Sequence, residues 1–224
     1  MGYRKIVLAT DEIYHVYNRG VEKRPIFLTK WDYNRFLDLT NYYRFKNCPV
    51  KYSYFKLSSE SERREVLEKL ENSSEKWVDI LAFCLMPNHF HFLLKQLKDN
   101  GISKFMAKIQ NSFSHFFNMK QERVGHLFQG NFKAKRIESD EQLVHVSRYI
   151  HLNPVSAHII KFEELENYEY SSYPEYIGKK KGFSNTRIVL EYFKNQEGYK
   201  KFVKDWADYT KRLEGIKHLL LEDA

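Results

Sequence analysis

The sequence predicts an α+β protein, and two observations carry that prediction. Residues 13–18 and 83–94 are dense in aromatic, β-branched and other apolar side chains, the composition of buried strands. Elsewhere Phe36, Leu39 and Tyr43, and then Ile102, Phe105, Met106, Ile109, Phe113, Phe116 and Phe117, recur every three to four residues, the period of amphipathic helices.

Taken in order, Ile13-Tyr14-His15-Val16-Tyr17-Asn18 forms a first strand that ends at Asn18-Arg19-Gly20. Thr29 and Asp32 then fit a capping box that opens a helix, and Cys48-Pro49 breaks it. Residues 50–57 suit a strand or another extended piece. Residues 59–71 are highly charged, with Val66, Leu67 and Leu70 as a thin apolar stripe, and suit a surface helix. Residues 47–76 therefore form an insertion, expected to be a solvated appendage.

A turn at Met86-Pro87-Asn88 runs into the strand His89-Phe90-His91-Phe92-Leu93-Leu94. Alternation places His89 and His91 on one face, with Phe90, Phe92 and Leu94 on the other, toward the core. Asn100-Gly101 is a turn before the long amphipathic helix, where His115 falls off the apolar stripe and is expected at the surface. Residues 125–137 suit another strand, on which Lys133 and Lys135 share a face. Ser139 and Gln142 then start a helix that should stop at Asn153, before Pro154. Leu143, Val146 and Ile150 form its core stripe. Tyr149 and Asn153 share its flank, with His145 one turn before, while His151 points elsewhere.

Tyr168 to Pro174 is an aromatic loop, and Gly178-Lys179-Lys180-Lys181-Gly182 is the best domain boundary in the chain. Residues 1–177 form the main domain and residues 178–224 a basic linker with a helical extension. Val189, Tyr192 and Phe193 mark a short helix. Tyr199, Phe202, Val203, Trp206, Tyr209, Leu213, Ile216 and Leu220 mark a long one.

The 224 residues include 16 Tyr and 17 Phe, so a large core is available despite an apolar fraction of 42%. A net charge of +8 favours a polyanionic partner, most simply nucleic acid. Cys48 and Cys84, the only two cysteines, form no CxxC pair, which excludes a disulfide framework and a zinc finger. No signal peptide or membrane-spanning run is evident, so a soluble cytoplasmic protein is expected.

Two histidines side by side on a buried strand are half of a metal site. With one or two further ligands, such a site would suit Mg²⁺ or Mn²⁺ acting on a phosphate, with Mn²⁺ the more tolerant of imidazole. The nucleophile could be water or a side chain, and a tyrosine on a nearby helix is a legitimate one. The residues alone do not single out Tyr149.

Residues 84–94, Cys-Leu-Met-Pro-Asn-His-Phe-His-Phe-Leu-Leu, resemble the His-hydrophobe-His strand of the single-tyrosine transposases. Arg148-Tyr149-Ile150-His151-Leu152-Asn153-Pro154-Val155 resembles the tyrosine helix of their REP-associated branch. Residues 14–20, 127–134 and 170–173 resemble that branch's first strand, later strand and post-helix loop, in the same order.

The resemblance implies a ferredoxin-like fold, with a central antiparallel sheet and helices on one side. It implies cleavage and rejoining of single-stranded, hairpin-containing DNA. His89 and His91 would ligate the divalent ion and Tyr149 would form a 5′-phosphotyrosine link. Asn153 would be the third ligand, with His145 its rival. Arg19, Lys133, Lys135, Arg136, Arg148 and Lys179 to Lys181 are candidate backbone contacts. A monomer is expected. The alternatives are a domesticated relative that binds structured nucleic acid without cleaving it, and a metal nuclease that uses water.

Overall fold

The computed structural model describes residues 7–205. Its centre is one antiparallel sheet of β1 (Ile13–Arg19), β2 (Val78–Met86), β3 (His89–Gln96) and β4 (Lys133–Arg136), in the order β2-β3-β1-β4. β2 and β3 form a hairpin that turns at Pro87 and Asn88. β1 runs between β3 and β4, with Tyr17 opposite both His91 and Lys133, Arg19 opposite His89, and His15 opposite Lys135.

Side-chain alternation gives the sheet two different faces. On the first, Tyr14, Val16, Phe83, Leu85, Phe90, Phe92 and Leu94 are buried beneath α1 (Lys30–Tyr43) and α4 (Gly101–Lys120). The capping box of Thr29 and Asp32 opens α1 as the sequence predicts. Phe36 and Leu39 of α1 interleave there with Phe105, Ile109 and Phe113 of α4, and His115 is exposed.

The second face is apolar only over β2 and the far half of β3. Leu81, Ala82, Cys84, Met86 and Leu93 lie there beneath α5 (Asp140–Ser156), against Leu143, Val146 and Ile150. The expectation of helices on one side thus holds for α1 and α4, whereas α5 covers the other face. The reason is that β2 is apolar on both sides, as strands buried between two layers are. A bulge between Ile80 and Ala82 adds to this by sending Leu81 and Ala82 the same way.

Three further expectations are corrected. Residues 50–57 hold a helix, α2 (Tyr52–Leu57), because Tyr52 and Phe55 bury together at helical spacing, with Phe55 stacked on Tyr42 at 4.5 Å. The strand expected over 125–137 is only β4. Gly125 and Gly130 have positive φ and turn the preceding chain, leaving Leu127, Phe128 and Phe132 to pack as a buried loop. Finally, α5 passes through Pro154 and ends at Ser156. Burial of Leu152, Asn153 and Pro154 offsets the lost bond, and the Pro154 carbonyl accepts from the Ile159 and Ile160 amides.

The charged helix of the insertion is α3 (Glu60–Ser73), which buries only Leu70. The insertion is closed at its base by a bridge between Phe45 and Lys76, and α2 anchors it in the core.

After α5 come a 3₁₀ turn (Phe162–Asn167) and the short helices α6 (Tyr173–Tyr176), α7 (Arg187–Leu190) and α8 (Gln196–Lys204). Val189, Tyr199 and Val203 join the core beneath α5. Of the long helix expected here, Tyr199, Phe202 and Val203 lie in α8. Trp206, Tyr209, Leu213, Ile216 and Leu220 lie outside the described residues. Residues 170–172 run along the outer edge of β2: Leu85 N donates to Tyr170 O (2.9 Å), Ser172 N to Phe83 O (3.0 Å), and Cys84 bridges Ser171.

Candidate active site

The site forms where α5 ends its cover of the second face. Strand alternation delivers His89 and His91 there, and the register adds His15, Tyr17 and Arg19 from β1 and Lys133 and Lys135 from β4. Tyr149 reaches the same place from α5. Its ring meets His91 edge-on at 5.7 Å and His15 edge-on at 6.0 Å. The His15 and His91 rings stack at 5.2 Å, and His15 Nε2 lies 3.0 Å from His91 Nδ1. Each of the two is 1% exposed and Tyr149 is 8% exposed.

Burial keeps these imidazoles neutral. It lowers the His15 pKa to about 3 and that of His91 well below the usual value, the latter helped by the neighbouring histidines and Arg19. His89, half-buried, is lowered to about 4 by burial and then by the charge of Arg19. Neutral imidazole is the form that ligates a metal.

The turn before β3 is pinned from the β1–α1 connection. Gly20 N donates to Asn88 O (2.8 Å), and Ile26 N and Phe27 N donate to Pro87 O (2.8 and 3.0 Å). Asn88 Nδ2 donates to Lys23 O at 2.9 Å, which turns Asn88 Oδ1 to His89 Nδ1 at 2.6 Å. An amide oxygen only accepts, so His89 carries its proton on Nδ1 and its lone pair on Nε2. Such an outer partner fixes the ring and tautomer of a metal ligand.

Asn153 lies one turn beyond Tyr149 and is buried. Its Nδ2 donates to the Tyr149 carbonyl (3.0 Å), so the amide oxygen is the atom it could offer an ion. His145 turns toward α8 instead, with its ring 5.5 Å from that of Phe202 and Nδ1 3.0 Å from the Arg148 guanidinium. Among the described residues no three His, Cys, Asp or Glu side chains converge as a metal cage. Two neutral imidazoles with an amide oxygen remain a donor set that suits a hard or borderline divalent ion.

The basic candidates separate. Arg19, Lys133 and Lys135 share the histidine face. Arg136 follows Lys135 in β4 and so faces the other way, paired with Glu12 at 2.5 Å. Arg148 is 2% exposed, lies 3.9 Å over the Phe202 ring and donates to the Phe202 carbonyl (3.0 Å). Lys179, Lys180 and Lys181 are exposed beyond α6, and Lys179 donates to Asn167 Oδ1 at 2.8 Å.

A family model described as "Transposase IS200 like" matches residues 40–153, just over half the chain, from α1 through the hairpin to Asn153. The chain belongs to the IS200-like transposase family. This IS200-like transposase also shares the fold of a solved structure described as the REP-associated tyrosine transposase bound to a REP hairpin. The TM-score is 0.54 at 14% identity, covering 80% of this chain and 87% of that one. No curated protein sequence matches the chain. Among the described residues no helix is long and apolar enough to cross a membrane.

Sequence reading missed His15 and Tyr17. Their signal was present: Tyr14 and Val16 are the inward positions of the first strand, so His15 and Tyr17 share its opposite face.

Proposed function

We propose that this transposase cleaves and rejoins single-stranded, hairpin-containing DNA, with Tyr149 as the nucleophile. One observation carries the reading. The helix and the hairpin, remote in sequence, bring the Tyr149 ring to 5.7 Å from His91. His89, His91 and Asn153 would hold Mg²⁺ or Mn²⁺, which when bound polarises the scissile phosphate and stabilises developing charge.

The chain's own residues do the rest. Tyr149 Oη forms a bond to phosphorus as the bond from phosphorus to the 3′ oxygen breaks. The phenol gives up its proton and the departing 3′ oxygen gains one, so a 5′-phosphotyrosine and a 3′-hydroxyl result. Attack by a 3′-hydroxyl on that link reverses the step and rejoins DNA without an external energy source. Arg19, Lys133 and Lys135 would position the backbone on either side of the phosphate. The structural neighbour's hairpin ligand supports a DNA hairpin as the partner. The protein would act as a monomer in the REP-associated branch of the family.

The test uses end-labelled single strands from the DNA flanking the protein's own gene, with Mn²⁺, Mg²⁺ or EDTA, on a denaturing gel. A labelled protein band that needs metal and Tyr149 is the expected result. Cleavage without that band would assign water as the nucleophile. Binding of flanking hairpins with no cleavage in either metal would make the protein a structured-nucleic-acid binder.

A further inference from the structure

His89 and His91 need different solutions to the same problem. A ring nitrogen that ligates a metal must carry its lone pair, so its partner nitrogen must carry the proton and find an acceptor. For His89 the acceptor is Asn88 Oδ1, 2.6 Å from Nδ1 and itself oriented by Lys23 O. For His91, Nδ1 is 3.0 Å from His15 Nε2 and the pair is buried. Only two neutral arrangements share that single proton.

In one arrangement, His15 Nε2–H donates to His91 Nδ1. His91 then carries its other proton on Nε2 and is blocked as a ligand through that atom. In the other, His91 Nδ1–H donates to His15 Nε2, and His91 Nε2 holds the lone pair, matching His89. His15 Nδ1 is buried without a hydrogen-bond partner in either case. A bound ion selects the second.

We propose that His15 is a positioning residue, the buried acceptor that holds His91 as its Nδ1–H tautomer so that both histidines present Nε2. The inference rests on the reading of His89 and His91 as metal ligands. It gives β1 a chemical role beyond its place in the sheet. The proton between the two rings becomes the switch between a ligand-competent and a blocked His91.

The test compares wild type with His15→Phe, which keeps a ring in the stack but removes the acceptor, and His15→Gln, whose side-chain oxygen restores one. Mn²⁺ affinity is measured by calorimetry on the full chain, with thermal melts to confirm folding. Imidazole ¹⁵N shifts of the Mg²⁺-saturated protein report the protonated nitrogen of His91. Expected are Nδ1–H at His91 in wild type, a loss of roughly 10–100-fold in Mn²⁺ affinity in His15→Phe, and recovery of about tenfold or more in His15→Gln. A merely structural role would not produce the rescue or the tautomer change. Wild-type affinity in a folded His15→Phe, or an Nε2–H proton on His91 in wild type, overturns the inference alone. Should His15→Phe fail to fold, the wild-type shifts and the Gln variant still decide. A wild type that binds no Mn²⁺ overturns the metal-site reading together with the inference.

Discussion

The Tyr149 ring stands edge-on to His91, with its centroid 5.7 Å away, although the two residues lie on different elements and α5 reaches that face only at its flank. The same Tyr149 ring touches His15, so its position is fixed by both β1 and β3.

Tyr149→Phe keeps those ring contacts and removes only the hydroxyl. It should fold with a stability change of about 1 kcal/mol, the scale of one hydrogen bond. DNA binding should persist while the covalent band disappears. Chemical denaturation, gel shift and the denaturing gel together check this. Retention of the band would place the nucleophile elsewhere.

Acid should destabilise the protein in a window set by its histidines. Burial lowers the pKa of His15 and His151 to about 3 and that of His89 to about 4, from 6.5. The unfolded chain therefore binds protons that the folded chain refuses between pH 6.5 and those values. Stability is fully present above 6.5 and falls as pH drops toward 3–4, by up to about 1.4 kcal/mol per pH unit for each histidine. Urea denaturation at pH 7.0, 6.0 and 5.0 measures the slope, and a flat profile would contradict neutral buried histidines.

Lys133 and Lys135 point to the histidine face, whereas Arg136 pairs with Glu12 on the other. Replacing both lysines by alanine should weaken single-strand binding whatever the sequence. The salt slope of log affinity should flatten by about 1.4, roughly 0.7 for each phosphate left without its lysine. Arg136→Ala should leave that slope unchanged. Titration of a fluorescent oligonucleotide across a salt series would separate the two, and equal effects would remove the assignment of the lysines to the backbone.

Ser172 ties the post-helix loop to two layers. Its Oγ accepts from Phe83 N at 2.9 Å and lies 2.8 Å from His151 Nε2. Ser172→Ala leaves a buried amide and a buried imidazole nitrogen without that oxygen. A loss of about 2 kcal/mol is expected. A midpoint unchanged in guanidinium would show that the loop is not bound through this side chain.

Much of the site was legible wherever one local period decides the matter. His89 and His91 share a face because strands alternate, and Tyr149 and Asn153 share a flank because helices turn in 3.6 residues. The opening of α1 at Thr29 was visible in the capping residues alone. What the period does not hold is register and docking. That Tyr17 sits opposite His91 depends on how β1 slides along β3, and His15 joins the site only through that pairing. Arg148 read as a candidate DNA contact because its neighbours in sequence say nothing of Phe202, which covers it from more than fifty residues away. Residues 50–57 read as extended, and the helix over Tyr52–Leu57 was missed because six residues are too few to separate a helical from an extended apolar pattern.

The strip of chain at 170–172 has a bearing on how copies of this protein meet. An open strand edge invites another chain to add to the sheet. Along β2 the Leu85 amide and the Phe83 carbonyl are already paired with the protein's own backbone. A second molecule that joined there would first have to peel this strip away and pull Ser172 from His151. The opposite edge, β4, is four residues long and carries Lys133 and Lys135, a short basic margin of the kind that discourages strand addition. Among the described residues the sheet is thus guarded against self-extension at both margins.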